Sequence, residues 1–317
     1  MSNSKSCNAG LIPDTPKIKT DFTRIEKKIF MIRLLLPIFL CCFTNFLFSQ
    51  NFTQRTFKDT RVINTHTVET LAKRKMDVRI GHRFGDLAGS SGGWQSFYGL
   101  ENAADIMFGV EYGIMDNLTV GLSRTKGAGP LKKLINTSLK YRFLRQKKDE
   151  SMPVSMTAYG LWSVSTMSKD TSNTEVLNNF PQFSHRIMYT AQILIARKFS
   201  DVFSLQVIPS YTHRNLVPFN DDNNLFSLGF AVRIQLSKVF GIIADATFPF
   251  SDLRTTENGY YPPMGIGLEI DTGGHIFQIN FTNARGIAET DYIPNTKSDW
   301  SKGQFRLGFT ISRTFNL

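Results

Sequence analysis

Residues 104–125 read ADIMFGVEYGIMDNLTVGLSRT, two strictly alternating runs hinged at Met115-Asp116-Asn117. Ile106, Phe108, Val110, Tyr112 and Ile114 share one parity, and Leu118, Val120 and Leu122 continue it past the hinge. Asp105, Gly109, Glu111, Gly113, Thr119, Gly121 and Ser123 occupy the other. Successive side chains of a strand point to opposite faces, so the stretch predicts a β-hairpin with one apolar and one hydrated face. A soluble sandwich alternates in the same way. A membrane barrel is distinguished by the pattern running through the whole chain with no second layer to cover it.

The pattern does recur, at 76–84, 137–143, 154–164, 187–195, 203–211, 226–236, 242–248, 264–270, 277–281 and 305–311. With the central hairpin this makes twelve predicted strands, most of them near the roughly 9–11 residues a tilted strand needs to cross a bilayer. The connections alternate long and short: 86–102 is long, 115–117 short, 165–184 long, 200–202 short, 251–263 long, 271–274 short, 284–302 long. Outer-membrane barrels have short periplasmic turns and long extracellular loops, and an even strand number puts both termini in the periplasm. The expected fold is therefore all-β: an antiparallel transmembrane β-barrel of about twelve strands, spanning 74–317. Phe315, two residues from the C-terminus, is close to the terminal-aromatic pattern of clients of the outer-membrane assembly machinery.

Before the barrel, MIRLLLPIFLCCFTNFLFSQ (31–50) has the form of a secretory signal peptide, with cleavage expected after Ser49. Its apolar run is broken by Pro37, Thr44 and Asn45, too short for the roughly 20 apolar residues of a spanning helix. Residues 1–49 are thus read as an N-terminal extension plus signal peptide. Residues 50–73 are read as a periplasmic N-terminal segment, either a tail or a short plug. The predicted location is the outer membrane of a Gram-negative envelope. Cys7, Cys41 and Cys42 all precede the cleavage point, which leaves the mature chain no disulfide or thiolate site. Seven Lys/Arg against three Asp/Glu also precede it, leaving +7 of the formal +11 to the mature chain. Export argues against nucleic acid as the partner of that charge. Outer-membrane lipid and lipopolysaccharide are the expected partners, through Arg124, Lys126, Lys132 and Lys133 of one outer loop or, in the bland reading, a solvated surface.

RIGHRFGDL (79–87), FYGLENAADIMFGVEYGIMDNLTVGLSRT (97–125) and LKYRFLRQ (139–146) resemble an uncharacterised β-barrel family of Bacteroidota outer membranes, a domain-of-unknown-function family. The resemblance implies an exported barrel. It brings no catalytic, cofactor or binding residues.

The chemistry must then come from the hydrated parity. Its lumen-lining candidates are Arg79, Arg83, Glu111, Lys140, Arg142, Arg233, Asp245, Glu269 and Arg306, joined by Asp77, Asp105 and Arg186. Rings of side-chain charge set the field in a pore, so these residues fit a small-solute channel with an anion preference. The alternative is a mutually paired network filling a narrow lumen, in a closed barrel that is structural or binds a partner through its outer loops. A lipid-modifying enzyme is the third reading, resting on His82 and His213 of lipid parity, neither with a serine beside it. No GxSxG, HExxH, phosphate-loop or dinucleotide fingerprint is present, and no metal or cofactor is expected. Gly89-Ser90-Ser91-Gly92-Gly93 reads as a flexible loop, and Trp94, Tyr98, Tyr260 and Tyr261 as belt or loop aromatics.

Overall fold

The structure, a computed structural model, describes residues 52–53, 55–172 and 176–317. The extension, signal peptide and Ser49 cleavage point read from the sequence lie outside the described residues.

Twelve strands close into a barrel in which each pairs antiparallel with its sequence neighbours and the first pairs with the last. They are β1 (Lys75–Phe84), β2 (Ala103–Met115), β3 (Leu118–Thr125), β4 (Leu134–Leu144), β5 (Ser155–Ser165) and β6 (Ile187–Lys198). The second half is β7 (Phe203–Arg214), β8 (Asn224–Gln235), β9 (Phe240–Phe250), β10 (Met264–Asp271), β11 (His275–Thr282) and β12 (Arg306–Asn316). Closure leaves no edge, the condition under which a sheet can stand in hydrocarbon. Connections at one end are short, 116–117, 199–202, 236–239 and 272–274; those at the other include 85–102, 166–186, 251–263 and 283–305. The β4–β5 connection, 145–154, is wider than its short-end neighbours and receives the incoming chain, Phe52 bridging Lys147.

Register follows the apolar pattern. Ile80 stands opposite Ile311 on one side and Phe108 on the other. Side chains of this parity face outward with large exposures, 55% for Phe108, 59% for Leu122 and 60% for Phe226. Apolar groups so exposed on every strand form a band that only a lipid phase would cover.

The lumen is filled. From Thr56 to Leu71 every residue except Lys58 is buried. This stretch, a tail or short plug in the sequence reading, forms a hairpin inside the barrel: Arg61 pairs with His66, Val62 N–H donates to Thr65 O at 2.9 Å, and Thr67 N–H donates to Thr60 O at 2.9 Å. It enters at the short-turn end and returns there to start β1. Gly113 makes room for that return, since a Cβ on it would lie 2.1 Å from the Ala72 carbonyl oxygen. From the opposite end the 283–305 loop folds inward with a short helix, α1 (Glu289–Asn295), burying Tyr292 and Ile293 against Leu225 and Ala284.

The lumen wall departs from the uniformly polar face read from the parity. Leu161 on β5, Leu194 on β6, Ile208 on β7, Ala231 on β8 and Ile243 on β9 are buried and join one apolar cluster with Phe57, Val62, Ile63 and Val68 of the hairpin. These wall residues share the parity of Ser163, Gln192, Gln206, Arg233 and Asp245. They answer the hairpin's apolar face, which a hydrated wall could not do.

Candidate functional site in the barrel lumen

Each lumen-lining candidate projects into the interior: Arg79, Arg83, Lys140, Arg233, Asp245, Glu269 and Arg306 are buried, and Glu111 and Arg142 half-buried. Few of them face one another. Most meet the hairpin or the inward loop, because a charge out of water must be paired and hydrogen-bonded.

Arg79 forks onto the Asp59 carboxylate and also donates to Asp77 Oδ2 at 3.1 Å and Thr60 Oγ1 at 3.1 Å. Lys140 Nζ donates to Thr60 O at 2.7 Å and Glu69 O at 3.3 Å, and Arg142 reaches Glu69 Oε2 at 3.2 Å. Asp245 takes the hairpin tip: its oxygens accept the backbone N–H groups of Ile63, Asn64 and Thr65 and the Asn64 amide at 2.7 Å. Arg83 donates to Asn64 Oδ1 at 2.7 Å and to the carbonyls of Ala284 and Gly286, tying tip and loop together. Arg306 holds Asp86 and the Asn283 carbonyl. Arg233 and Glu269 pair directly across β8 to β10, Nε to Oε1 at 2.7 Å.

Hairpin and loop meet midway. Arg61 Nη2 donates to Ile287 O at 3.1 Å and Glu289 Oε1 at 3.4 Å, and His66 Nε2 lies 3.7 Å from the same carboxylate oxygen. The voids left around this junction measure about 30 and 10 Å³. That is room for a water and for nothing larger.

At the short-turn end, cavities of about 350 and 300 Å³ flank Arg55 and Lys58, the latter paired with Asp271 at 3.2 Å. At the long-loop end a cavity of about 300 Å³ opens above α1. Its rim carries Asp221, gripped by both nitrogens of Arg214 (2.9 and 3.0 Å) and both of Arg254 (2.8 and 2.8 Å). Burial pushes the Asp221 carboxyl up, but the Arg254 and Arg214 guanidinium groups outweigh it and bring the group down to about 2. Asp291 on α1 accepts the Ala128 and Gly129 N–H groups, each at 2.8 Å. With no cation in those bonds, its burial dominates and raises the carboxyl to about 6.

Sequence reasoning missed the hairpin's Asp59, Arg61, His66 and Glu69 and the loop's Glu289 and Asp291, which complete these networks. The signal in the hairpin was weak: Val62, Ile63, Val68 and Leu71 are the few apolar residues interleaved with charged ones in a largely polar stretch. The rim residue Arg186 caps carbonyls of Ser165 and Met167 and makes no lumen pair among the described residues. Of the basic loop cluster, Arg124 and Lys126 bond backbone carbonyls of Lys133 and Ala103, and Lys132 and Lys133 are exposed. His82 lies against Phe84 and Phe309, and His213 bonds Asn224 and Asn215.

Similarity to known proteins adds the following. The NanC porin is 10% identical over 76% of this chain and 100% of that one, with a TM-score of 0.47. The KdgM porin is 8% identical over 76% and 99%, TM-score 0.45. The COG4313 outer membrane channel from Pseudomonas putida F1 is 12% identical over 78% and 98%, TM-score 0.46. No curated protein matches the chain. Residues 57–315 match the family described as Membrane bound beta barrel domain (DUF5777), a span that takes in most of the hairpin as well as the barrel. The chain thus belongs to the DUF5777 family of membrane-bound β-barrel domains.

Proposed function

We propose that this protein is a non-enzymatic outer-membrane barrel that passes small solutes when its N-terminal hairpin leaves the lumen, and is closed when the hairpin is seated. The observation that carries the reading is how residues 56–71 are held. On the β1, β2 and β4 side their partners are charged and polar wall groups, among them Arg79, Lys140 and Arg142. Such a wall stays solvated when the plug departs, which confines the apolar surface laid bare to the patch of Leu161, Leu194, Ile208, Ala231 and Ile243. Buried ion pairs contribute little net stability against hydration of both partners, so their release is less costly than burial alone suggests. The lumen candidates then act twice, as a latch in the closed state and as a basic lining for solutes in the open one. Asymmetry of the loops supports short turns in the periplasm and long loops outside.

Single-channel recording in planar bilayers tests this, comparing residues 50–317 with a chain that begins at Lys73. The full chain should be silent or open rarely, and the trimmed barrel should give discrete steps. A trimmed barrel that is folded by heat-modifiable gel mobility and remains silent overturns the proposal. It would leave a closed barrel acting through its long loops, a reading favoured by the exposed Trp94, Phe183 and Phe219 there.

A further inference from the structure

We propose that the cavity at the long-loop mouth is a binding site for small organic monoanions with an apolar body, of the arylalkyl- or alkyl-carboxylate type. Its volume, about 300 Å³, is at the lower end of small-molecule sites. One wall is apolar, built by Leu131, Leu177, Met188 and Leu216, with Leu131 and Met188 buried in the main cluster and Leu177 and Leu216 packed against it. Arg285 and Lys297 line the cavity as well. Both are exposed, and neither has a carboxylate partner among the described residues. Lys297 instead lies 4.8 Å over the Tyr260 ring.

The cavity's own acids are already committed. Asp221 is taken by two arginines and Asp291 by two backbone N–H groups. Arg285 and Lys297 thus face the recess without an ion-pair partner among the described residues, and the one carboxylate there that no cation holds, Asp291, is already bonded to backbone N–H groups. An inorganic anion would satisfy them and leave the apolar wall wet, and a neutral apolar solute would do the reverse. A carboxylate on an apolar body answers both, with Arg285 able to grip it through two parallel N–H groups. Thr290 and Asn295 of α1 line the same recess. Below α1 the hairpin closes the lumen, so the ligand is held at the mouth. The recess is present with the hairpin seated and does not require it to leave.

Calorimetric titration of residues 50–317 in non-ionic detergent, with empty micelles subtracted, tests it using 4-phenylbutyrate, its neutral amide and acetate. The acid should bind about tenfold or more tighter than the amide, the scale of a charged hydrogen bond, and tighter than acetate. R285Q/K297Q should bring the acid down to the level of the amide, and L216N should weaken acid and amide alike. Equal affinity for acid and amide, acetate as tight as the acid, unchanged binding in R285Q/K297Q, or no binding of the acid at all would each overturn the proposal. Should the double variant lose its heat-modifiable mobility, the single R285Q and K297Q variants carry the same test, each expected to weaken the acid and spare the amide.

Discussion

Two sides of one lumen hold the same hairpin by different physics. On β1, β2 and β4 the wall is charged, with Asp77, Arg79, Glu111, Lys140 and Arg142 facing Asp59, His66 and Glu69 of the plug. On β5 to β9 an apolar patch is set among neutral polar groups and Asp245, and Leu161, Leu194, Ile208 and Ile243 pack on Phe57, Val62, Ile63 and Val68. The apolar side supplies cohesion in proportion to area and tolerates sliding. The charged side supplies direction and is intolerant of a missing partner. A plug seated by both is positioned by one and retained by the other.

The largest effect should come from breaking the charged side one partner at a time. Arg79→Ala leaves Asp59 and Asp77 buried together without their cation, and should cost about 3–5 kcal/mol in thermal unfolding of the detergent-solubilised barrel. Adding Asp59→Asn and Asp77→Asn to Arg79→Met should recover most of that loss, since removing every charge also removes the penalty. No recovery by the triple variant would mean that the cluster matters for shape rather than for charge. On the apolar side, Leu194→Ala should cost about 2–5 kcal/mol according to how far the cluster collapses into the space, with no polar substitution able to restore it.

A smaller and opposite pair of effects is expected from the two loop carboxylates at the long-loop mouth. Asp291, raised by burial to about 6, binds its proton more readily folded than unfolded. The loop should therefore gain protection from proteolysis as pH falls from 7 through 6 toward 4. Asp221, held at about 2 by its two arginines despite burial, contributes stability above its ordinary value of 3.8 and loses it as pH falls from there through 2. Asp291→Asn should abolish the first change and Asp221→Asn the second. A monotonic loss of protection from pH 7 downward in the parent would contradict the Asp291 assignment. The smallest effect belongs to the pair of half-buried Arg197 and exposed Glu150 at 3.1 Å, where Glu150→Ala should change stability by about 0–1 kcal/mol.

The barrel itself was legible because a strand in lipid obeys a strict period of two. Ile80, Phe108 and Leu122 face outward as their parity demands, and the lumen candidates face inward for the same reason. Parity also put Asp245 and Arg79 on the inward face, and both are buried. It said nothing of what they hold, since their partners at Asn64 and Asp59 lie 181 and 20 residues away along the chain. Ile208 and Ile243 broke the polar parity of their strands in plain view, and their meaning emerged only beside Val62 and Ile63.

The sequence by itself therefore determined a closed antiparallel barrel, its strand number, its lipid face and the asymmetry of its loops, because each is set by local period and by the spacing of turns. Whether the lumen is open or filled, which charges pair, and where a recess remains whose two exposed cations have no carboxylate partner among the described residues were decided by the tertiary structure. Those properties depend on a hairpin and a loop that enter from opposite ends and meet at Arg61 and Glu289, a contact between segments far apart in the chain that no local pattern encodes.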